Sequence, residues 1–551
     1  MRKTFARQFA IAMTVALAIV TIPAAGPAAA LGGPPQGSGV QILVPVGADI
    51  GPSLAHANAS DHRGEAKREM TLLSTTGKGK PGGGGSTPDG ALQTTAATAL
   101  GATAGVSFDG VGVGLGAYVD CCAPPDTNAS VGLTEIVQWV NLDYAVWDKA
   151  TGALLSGPIK GSQLFAGFTA GNCDKNNDGD PIVKFDAQAQ RWFVTQFSVT
   201  GGPPYFECIA VSSGPSFLQS TTWARYAYSF GSYFPDYPKA AVWPDAYYMA
   251  YNRFFNGSTF SGAAACAYDR AKMLTADATA TGQCFNTSTS YGGLLPSDLD
   301  GATAASGSTA LPPVGAPNVF LNLGSGALNA WQFHIDFTTA GNSRFTGPVA
   351  TSTAAFSKAC GGGTCIAQAG TSNQLDSLAD RLMYRLAYRN FGGYSSLVVT
   401  HSVSGSGTAA PRWYELRSAT AGATAPNDYT LYQQGSYAPT TEYRWMSSAA
   451  QDKTGNLAIG YSVSSSTQSP GIRYTGRASS DPLGQLRIEA TVSLPSTGSQ
   501  TGSLHRWGDY SSMAVDPSDD CTFWYTTEYL KTSGSFNWST RIISFKMPGC
   551  L

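Results

Sequence analysis

His505-Arg506-Trp507-Gly508-Asp509-Tyr510-Ser511-Ser512-Met513-Ala514-Val515-Asp516-Pro517 is the stretch from which the fold is read, because its pattern recurs upstream. Asp236-Tyr237-Pro238-Lys239-Ala240-Ala241-Val242-Trp243-Pro244 repeats its Asp, Tyr, Ala, Val and Pro in the same register. Both copies run on into aromatic, β-prone segments, Tyr247-Tyr248-Met249-Ala250-Tyr251 and Phe523-Trp524-Tyr525-Thr526-Thr527. Diverged copies follow at Asp180–Asp186, continued by Arg191-Trp192-Phe193-Val194, and at Ser447–Asp452, continued by Leu457–Tyr461. A strand, an Asp-bearing turn and a second strand, recurring every forty to sixty-five residues or roughly so, is the sequence form of a β-propeller.

Composition agrees with this all-β reading. Only 13% of residues are charged while 11% are aromatic, and no long stretch has helical periodicity. At the N-terminus, basic Arg2, Lys3 and Arg7 precede an apolar run from Phe9 to Val20 and the cleavage-like Ala28-Ala29-Ala30. Residues 1–30 therefore read as a secretory signal peptide, too short in its apolar core for a membrane span. The expected location is secreted, extracellular or periplasmic. Ten cysteines suit that destination. Cys173 with Cys208, Cys266 with Cys284, Cys360 with Cys365 and Cys521 with Cys550 are neighbours suited to pairing, whereas adjacent Cys121-Cys122 has no assignable partner. Of 34 Lys+Arg, three lie in the signal segment, leaving 31 against 36 Asp+Glu and a net charge near −5. That charge offers no field for nucleic acid or an anionic membrane. A monomer without a membrane span is expected.

Residues 31–105 read as an N-terminal segment with a Gly-rich linker at Lys78–Ser86, loosely attached to the body. Residues 106–551 form the propeller domain, with six or seven blades and seven favoured by length. Ile542–Lys546 is expected as a last strand that completes the first blade.

Pro124-Pro125-Asp126-Thr127-Asn128, Asn177-Asp178-Gly179-Asp180-Pro181-Ile182-Val183, Asp236-Tyr237-Pro238-Lys239, Arg381–Arg385 and Arg506–Ser512 resemble the motifs of a family of exported bacterial propeller-like proteins. The resemblance implies fold and export and brings no catalytic residues with it. Similarity to sialidase-like propellers is confined to repeat design.

The repeat places Asp180, Asp236, Asp380 and Asp509 just before innermost strands, with Asp126 in the same position for the first blade. Equivalent positions on successive blades form a ring at one mouth of the channel. Carboxylates there, joined by Lys239, Arg381, Arg444 and Arg506, would suit an extracellular glycan, a small polar ligand or a cation; equally, such Asp residues cap turns. Glycoside hydrolysis needs two carboxyl groups, and Asp509 and Asp236 are the expected pair because their contexts match best. Arg506, Arg381, Lys239 and Trp507 are the expected substrate contacts. A polysaccharide lyase would instead draw a base from Tyr510, Tyr237 or His505. Asp174, Asn176, Asp178 and Asp180 have the spacing of the first half of a calcium loop, though Phe185 stands where the bidentate Glu belongs, so any Ca²⁺ is expected to be structural. Two functions stay open: a secreted carbohydrate-active enzyme, glycoside hydrolase or polysaccharide lyase, at the channel mouth, or a non-catalytic propeller that binds glycan or protein.

Overall fold

A computed structural model describes residues 39–54, 62, 65–70, 73, 87–96, 101–301, 311–419 and 425–551. The signal-peptide and Gly-rich-linker readings lie outside these residues. Within them the chain is a β-propeller, and its one α-helix among the described residues is the short Arg270–Leu274.

Among the described residues, six antiparallel meanders of four consecutive strands and a last one of three follow one another along the chain. The first strands of these meanders are Asn128–Val131, Ile182–Asp186, Tyr233–Val242, Leu295–Leu299, Met383–Asn390, Tyr443–Gln451 and Ser512–Val515. Each packs beside the next, and Ser512–Val515 packs back against Asn128–Val131, so the seven close a ring around one axis. The fourth and fifth are also joined directly, since Ser297, Asp298 and Leu299 pair in parallel with Leu386, Ala387 and Tyr388. Elsewhere side chains bridge the inner strands. Val183 and Phe185 donate their N–H groups to Asn128 Oδ1 (2.8 Å) and Ser130 Oγ (2.9 Å). Val242 donates to Asp298 Oδ1 (3.0 Å) and Met513 to Ser448 Oγ (3.0 Å). Ser512 Oγ donates to the Ala129 carbonyl (3.1 Å), sealing last to first.

Between neighbouring sheets lie apolar layers. Ile182, Phe193, Ile209 and Tyr226 of the second meander pack with Tyr247, Met249 and Tyr268 of the third. Met513, Phe523, Tyr525 and Phe545 of the last pack with Ala450, Ala458 and Ile472 of the sixth. A buried ion network crosses the axis: Asp298 holds both Lys184 and Arg385 Nε (2.6 Å), and Arg385 Nη2 also reaches Asp300 Oδ1 (2.6 Å).

The four expected cysteine pairs are disulfides, and Cys121 and Cys122 are buried free thiols. No helix among the described residues is long and apolar enough to cross a membrane.

Two expectations are corrected. The described strands before residue 106 are built into the fold rather than loosely attached. Gln41–Leu43 pairs with Gly282–Asn286, Pro45–Pro52 with Thr222–Gly231, Leu92–Gln93 with Thr430–Tyr437, and Thr103–Asp109 with Trp538–Lys546. The physical reason is that outermost strands carry unpaired N–H and C=O groups, which these segments satisfy. Asp49 adds a two-point ion pair to Arg225 (2.8 and 2.7 Å). Second, Ile542–Lys546 belongs to Trp538–Lys546 and stays in the last sheet, beside Thr522–Leu530. Closure runs the other way: the early strand Thr103–Asp109 supplies the outer edge of the last sheet. A chain beginning at Gly110 should therefore lose four edge strands, elute as aggregate in size-exclusion chromatography and melt well below the full chain; an unchanged Tm would contradict this assignment.

Candidate functional site

The backbone approaches several inner strands through the left-handed region. Asp126 (φ 49°), Asp180 (φ 45°), Tyr237 (φ 56°), Met446 (φ 54°) and Asp509 (φ 59°) all have positive φ. Aspartate tolerates this conformation better than most residues because its short polar side chain can bond locally. Turns before the inner strands, and a bulge between Asp236 and Lys239 inside Tyr233–Val242, bring Asp126, Asp180, Asp236, Lys239, Arg381, Arg506 and Asp509 into one interacting set.

Asp126 and Asp180 interact directly through their carboxyl groups, each shifting the other's protonation. Asp509 receives Arg506 through Nε (3.0 Å) and Nη2, and its carbonyl accepts the Tyr237 hydroxyl (3.2 Å). The loop bearing this pair is pinned by Gln500, which donates to the Leu504 and Arg506 carbonyls (3.0 and 2.7 Å), and by Glu528, which accepts from Gly508 N (2.7 Å). Arg381 forms a two-point pair with Asp380 (2.8 and 3.2 Å), and its guanidinium lies 4.7 Å from the Tyr237 ring centre. Lys239 Nζ sits 3.5 Å from the centre of Tyr237 and 3.9 Å from that of Tyr510, and donates to the Pro238 carbonyl (2.8 Å). Tyr384 completes the aromatic floor, 6.1 Å from Tyr510. Asp126 and Asp509 are buried, whereas Asp180 and Asp236 are half-buried and form the accessible side.

Burial governs the protonation of this set. It raises Asp126 well above the usual carboxylate range, aided by the negative charges of Asp509 and Asp180. Asp180 is raised too, mainly by burial and against the pull of Lys239. Asp236 is pushed up to about 8 by burial and by Asp180, with Arg381 and Arg506 opposing. Lys239 falls to about 8 because desolvation outweighs the surrounding carboxylates. The site thus holds protonated acids beside ionised ones at neutral pH, the division of labour acid–base chemistry uses.

Four assignments change. Tyr510 is fully buried, its hydroxyl pKa driven far up by burial and then by Asp126 and Asp180, so it serves as a ring against Lys239 and not as a base. Trp507 is buried beside Trp445 and donates its indole N–H to Ser462 Oγ (3.1 Å); it is core and not a sugar platform. The calcium set does not converge. Asp178 spends its carboxylate on Val199 N (2.6 Å), Thr200 N (2.7 Å) and Thr200 Oγ1 (2.5 Å), while Asn176 donates to Ser198 Oγ (2.9 Å). Asp180 is turned into the channel instead, and the carboxylates of Asp174, Asp178 and Asp180 do not form a group within 4.8 Å among the described residues. Arg444, expected in the ring, pairs with Glu442 (3.1 Å) and Glu489 (3.2 Å) in its own sheet. Glu207, buried and raised to about 8 next to Asp180, lies mid-strand away from any turn motif.

Two outcomes follow. Because Asp236 has a folded pKa of about 8 against 3.8 when free, its contribution to stability is full below about pH 4 and is lost as pH rises toward 8. Asp236→Asn should flatten the fall of Tm over that window; an unchanged Tm-versus-pH curve would contradict the protonated assignment. Arg506→Ala leaves Asp509 buried without its partner and should cost about 3–5 kcal/mol in urea unfolding.

No family model matches the chain, and no curated protein does. Among solved structures, it is similar to an endo-arabinase from Bacteroides thetaiotaomicron VPI-5482 at 16% identity, covering 53% of this chain and 92% of that one, with a TM-score of 0.26. A subtype N10 neuraminidase-like protein of A/little yellow-shouldered bat/Guatemala/060/2010 aligns at 10% identity over 64% and 95%, TM-score 0.31. An alpha-L-arabinanase of Cellvibrio cellulosa aligns at 8% over 67% and 92%, TM-score 0.27. Likenesses of this size carry no argument about activity, so the functional reading rests on the chain's own residues.

Proposed function

We propose that this chain is an exported carbohydrate-active enzyme, a glycoside hydrolase working at the Asp-bearing end of the propeller channel. One observation carries the reading: half-buried Asp180 and Asp236 stand in one electrostatic set with buried Asp126, where burial pushes Asp236 up to about 8. Glycosidic cleavage needs one carboxylic acid to protonate the leaving oxygen and one carboxylate to activate water or attack the sugar. Asp236 takes the first role and Asp180, the other half-buried acid, the second. Asp509, half of the pair favoured by sequence context, is the counter-ion of Arg506 and so a positioning residue. Two of the expected lyase bases, Tyr510 and Tyr237, are buried, and exposed His505, whose Nδ1 is hydrogen-bonded to the Gln374 carbonyl at 2.8 Å, is the one left to that alternative. Support for export comes from the basic-then-apolar N-terminal sequence and from four disulfides.

A second reading has its own observation. The strongest charges of the site are spent on one another, Asp509 on Arg506, Asp380 on Arg381 and Lys239 on two tyrosine rings. Such a closed set suits a non-catalytic surface propeller that binds glycan or protein. A polysaccharide panel with a reducing-end assay separates the two. The enzyme reading expects turnover that falls about 10²–10⁴-fold in Asp236→Asn and in Asp180→Asn. Glycan binding without turnover favours the second reading, and turnover untouched by both substitutions moves the reaction to another site.

A further inference from the structure

A second cluster of chemically active side chains lies where the early segment 62–70 docks on residues 120–123. Arg68 and Glu69 pair in parallel with Cys122 and Ala123, and Arg68 N donates to the Cys121 carbonyl (2.9 Å). This seats His62 beside the vicinal cysteines. His62 is 3% exposed, and Cys121 is equally buried. The His62 Nε2 side is taken by Asp143 Oδ2 at 2.7 Å, leaving Nδ1 aimed at Glu65 Oε2 (3.0 Å) and Cys121 Sγ (3.7 Å). One ligand atom from each of His62, Glu65 and Cys121 lies within 4.8 Å of the others.

We propose that His62, Glu65 and Cys121 form a binding site for a borderline-soft divalent cation of the zinc type, with Asp143 as the positioning carboxylate behind the imidazole. The donor set is one thiolate, one imidazole and one carboxylate, which together select such a metal over calcium or magnesium. Spacing agrees. Tetrahedral zinc, with Zn–S about 2.3 Å and Zn–N and Zn–O about 2.0–2.1 Å, sets S···N near 3.6 Å and N···O near 3.3 Å. The observed separations are 3.7 and 3.0 Å. The outer hydrogen bond from His62 to Asp143 is the arrangement that fixes the tautomer of a metal-bound histidine. Two features give access and neutrality. The Glu65 side chain is 40% exposed, so an ion enters from that side, where a fourth position is left for water. The Cys121 thiolate and the Glu65 and Asp143 carboxylates are balanced by a divalent ion together with Lys160, which pairs with Glu65 Oε1 at 2.7 Å. Eight cysteines of this chain are in disulfides while Cys121 and Cys122 remain thiols, so a ligand role explains why a thiol is kept there.

The test uses the full chain, stripped with a chelator and titrated with Co²⁺ and then Zn²⁺. Expected is one cobalt per chain with a thiolate-to-metal charge-transfer band, displaced by zinc, and a rise in Tm. Cys121→Ser and His62→Ala should abolish the band and Cys122→Ser should keep it. Asp143→Asn should keep it at an affinity lowered about 10–100-fold. The wild-type titration needs no variant to fold. A wild-type chain with both thiols reduced and no charge-transfer band would overturn the site. So would a band that follows Cys122, or peptide mass mapping that finds Cys121 and Cys122 joined as a disulfide.

Discussion

The ring of inner strands depends on side chains that stand in for a hydrogen-bond ladder. At the axis, neighbouring inner strands present N–H and C=O groups to a gap that excludes water, and an unpaired buried group there costs about 1–3 kcal/mol. Asn128, Ser130, Asp298 and Ser448 supply acceptors to the next strand over, and Ser512 donates in the same way. Larger residues at these positions would push the strands apart, and the long charged side chains that do stand on inner strands, Lys184 and Arg385, are neutralised there by Asp298 and Asp300. Much of the composition follows from this, with its few charges and its wealth of small hydroxyl and alanine residues.

The candidate site sits on the same ring, and its protonation reflects the same scarcity of water. Five acids, Asp126, Asp180, Asp236, Asp380 and Asp509, share the space with three cations, Lys239, Arg381 and Arg506. A buried cluster tends toward neutrality because an excess charge is too costly to desolvate. The arginines claim Asp509 and Asp380, and the proton retained by Asp126 and by Asp236 removes most of the surplus. Burial that outweighs the pull of Arg381 and Arg506 is what keeps Asp236 protonated, so its reactive character is a by-product of desolvation.

The fold and the ring of acids were legible because both are written in local repeats. The Asp-Tyr motif at 236 and 509 and the Asp before Ile182 mark the turns, and the turns fix the ring. Cysteine pairs separated by 5 to 35 residues were legible for the same reason. Four things were not. Edge strands such as Pro45–Pro52 pair with partners far along the chain and carry no periodic signal of their own. The fate of Trp507 and Tyr510 depends on what the neighbouring sheets place over them, which no local pattern states. Spacing along the chain also does not state that the Asp178 carboxylate is spent on Val199 and Thr200. The His62–Cys121 cluster was invisible for a simpler reason: its members meet only when the early segment docks.

The pairing of Thr103–Asp109 with Trp538–Lys546 also governs timing. Arg541 and Asp109, ion-paired at 2.7 Å, stand 432 residues apart. At about 5–20 residues per second of synthesis, the early strand waits roughly 20–90 s before its partner exists. Through that interval it is an open edge on an unfinished ring, and sheets formed earlier have no seventh neighbour to lean on. Closure is thus the last event and spans nearly the whole chain, the kind of contact that slows folding most. A chain of this design has reason to be kept unfolded until it is complete, and its yield in a host will depend on who holds the waiting strand.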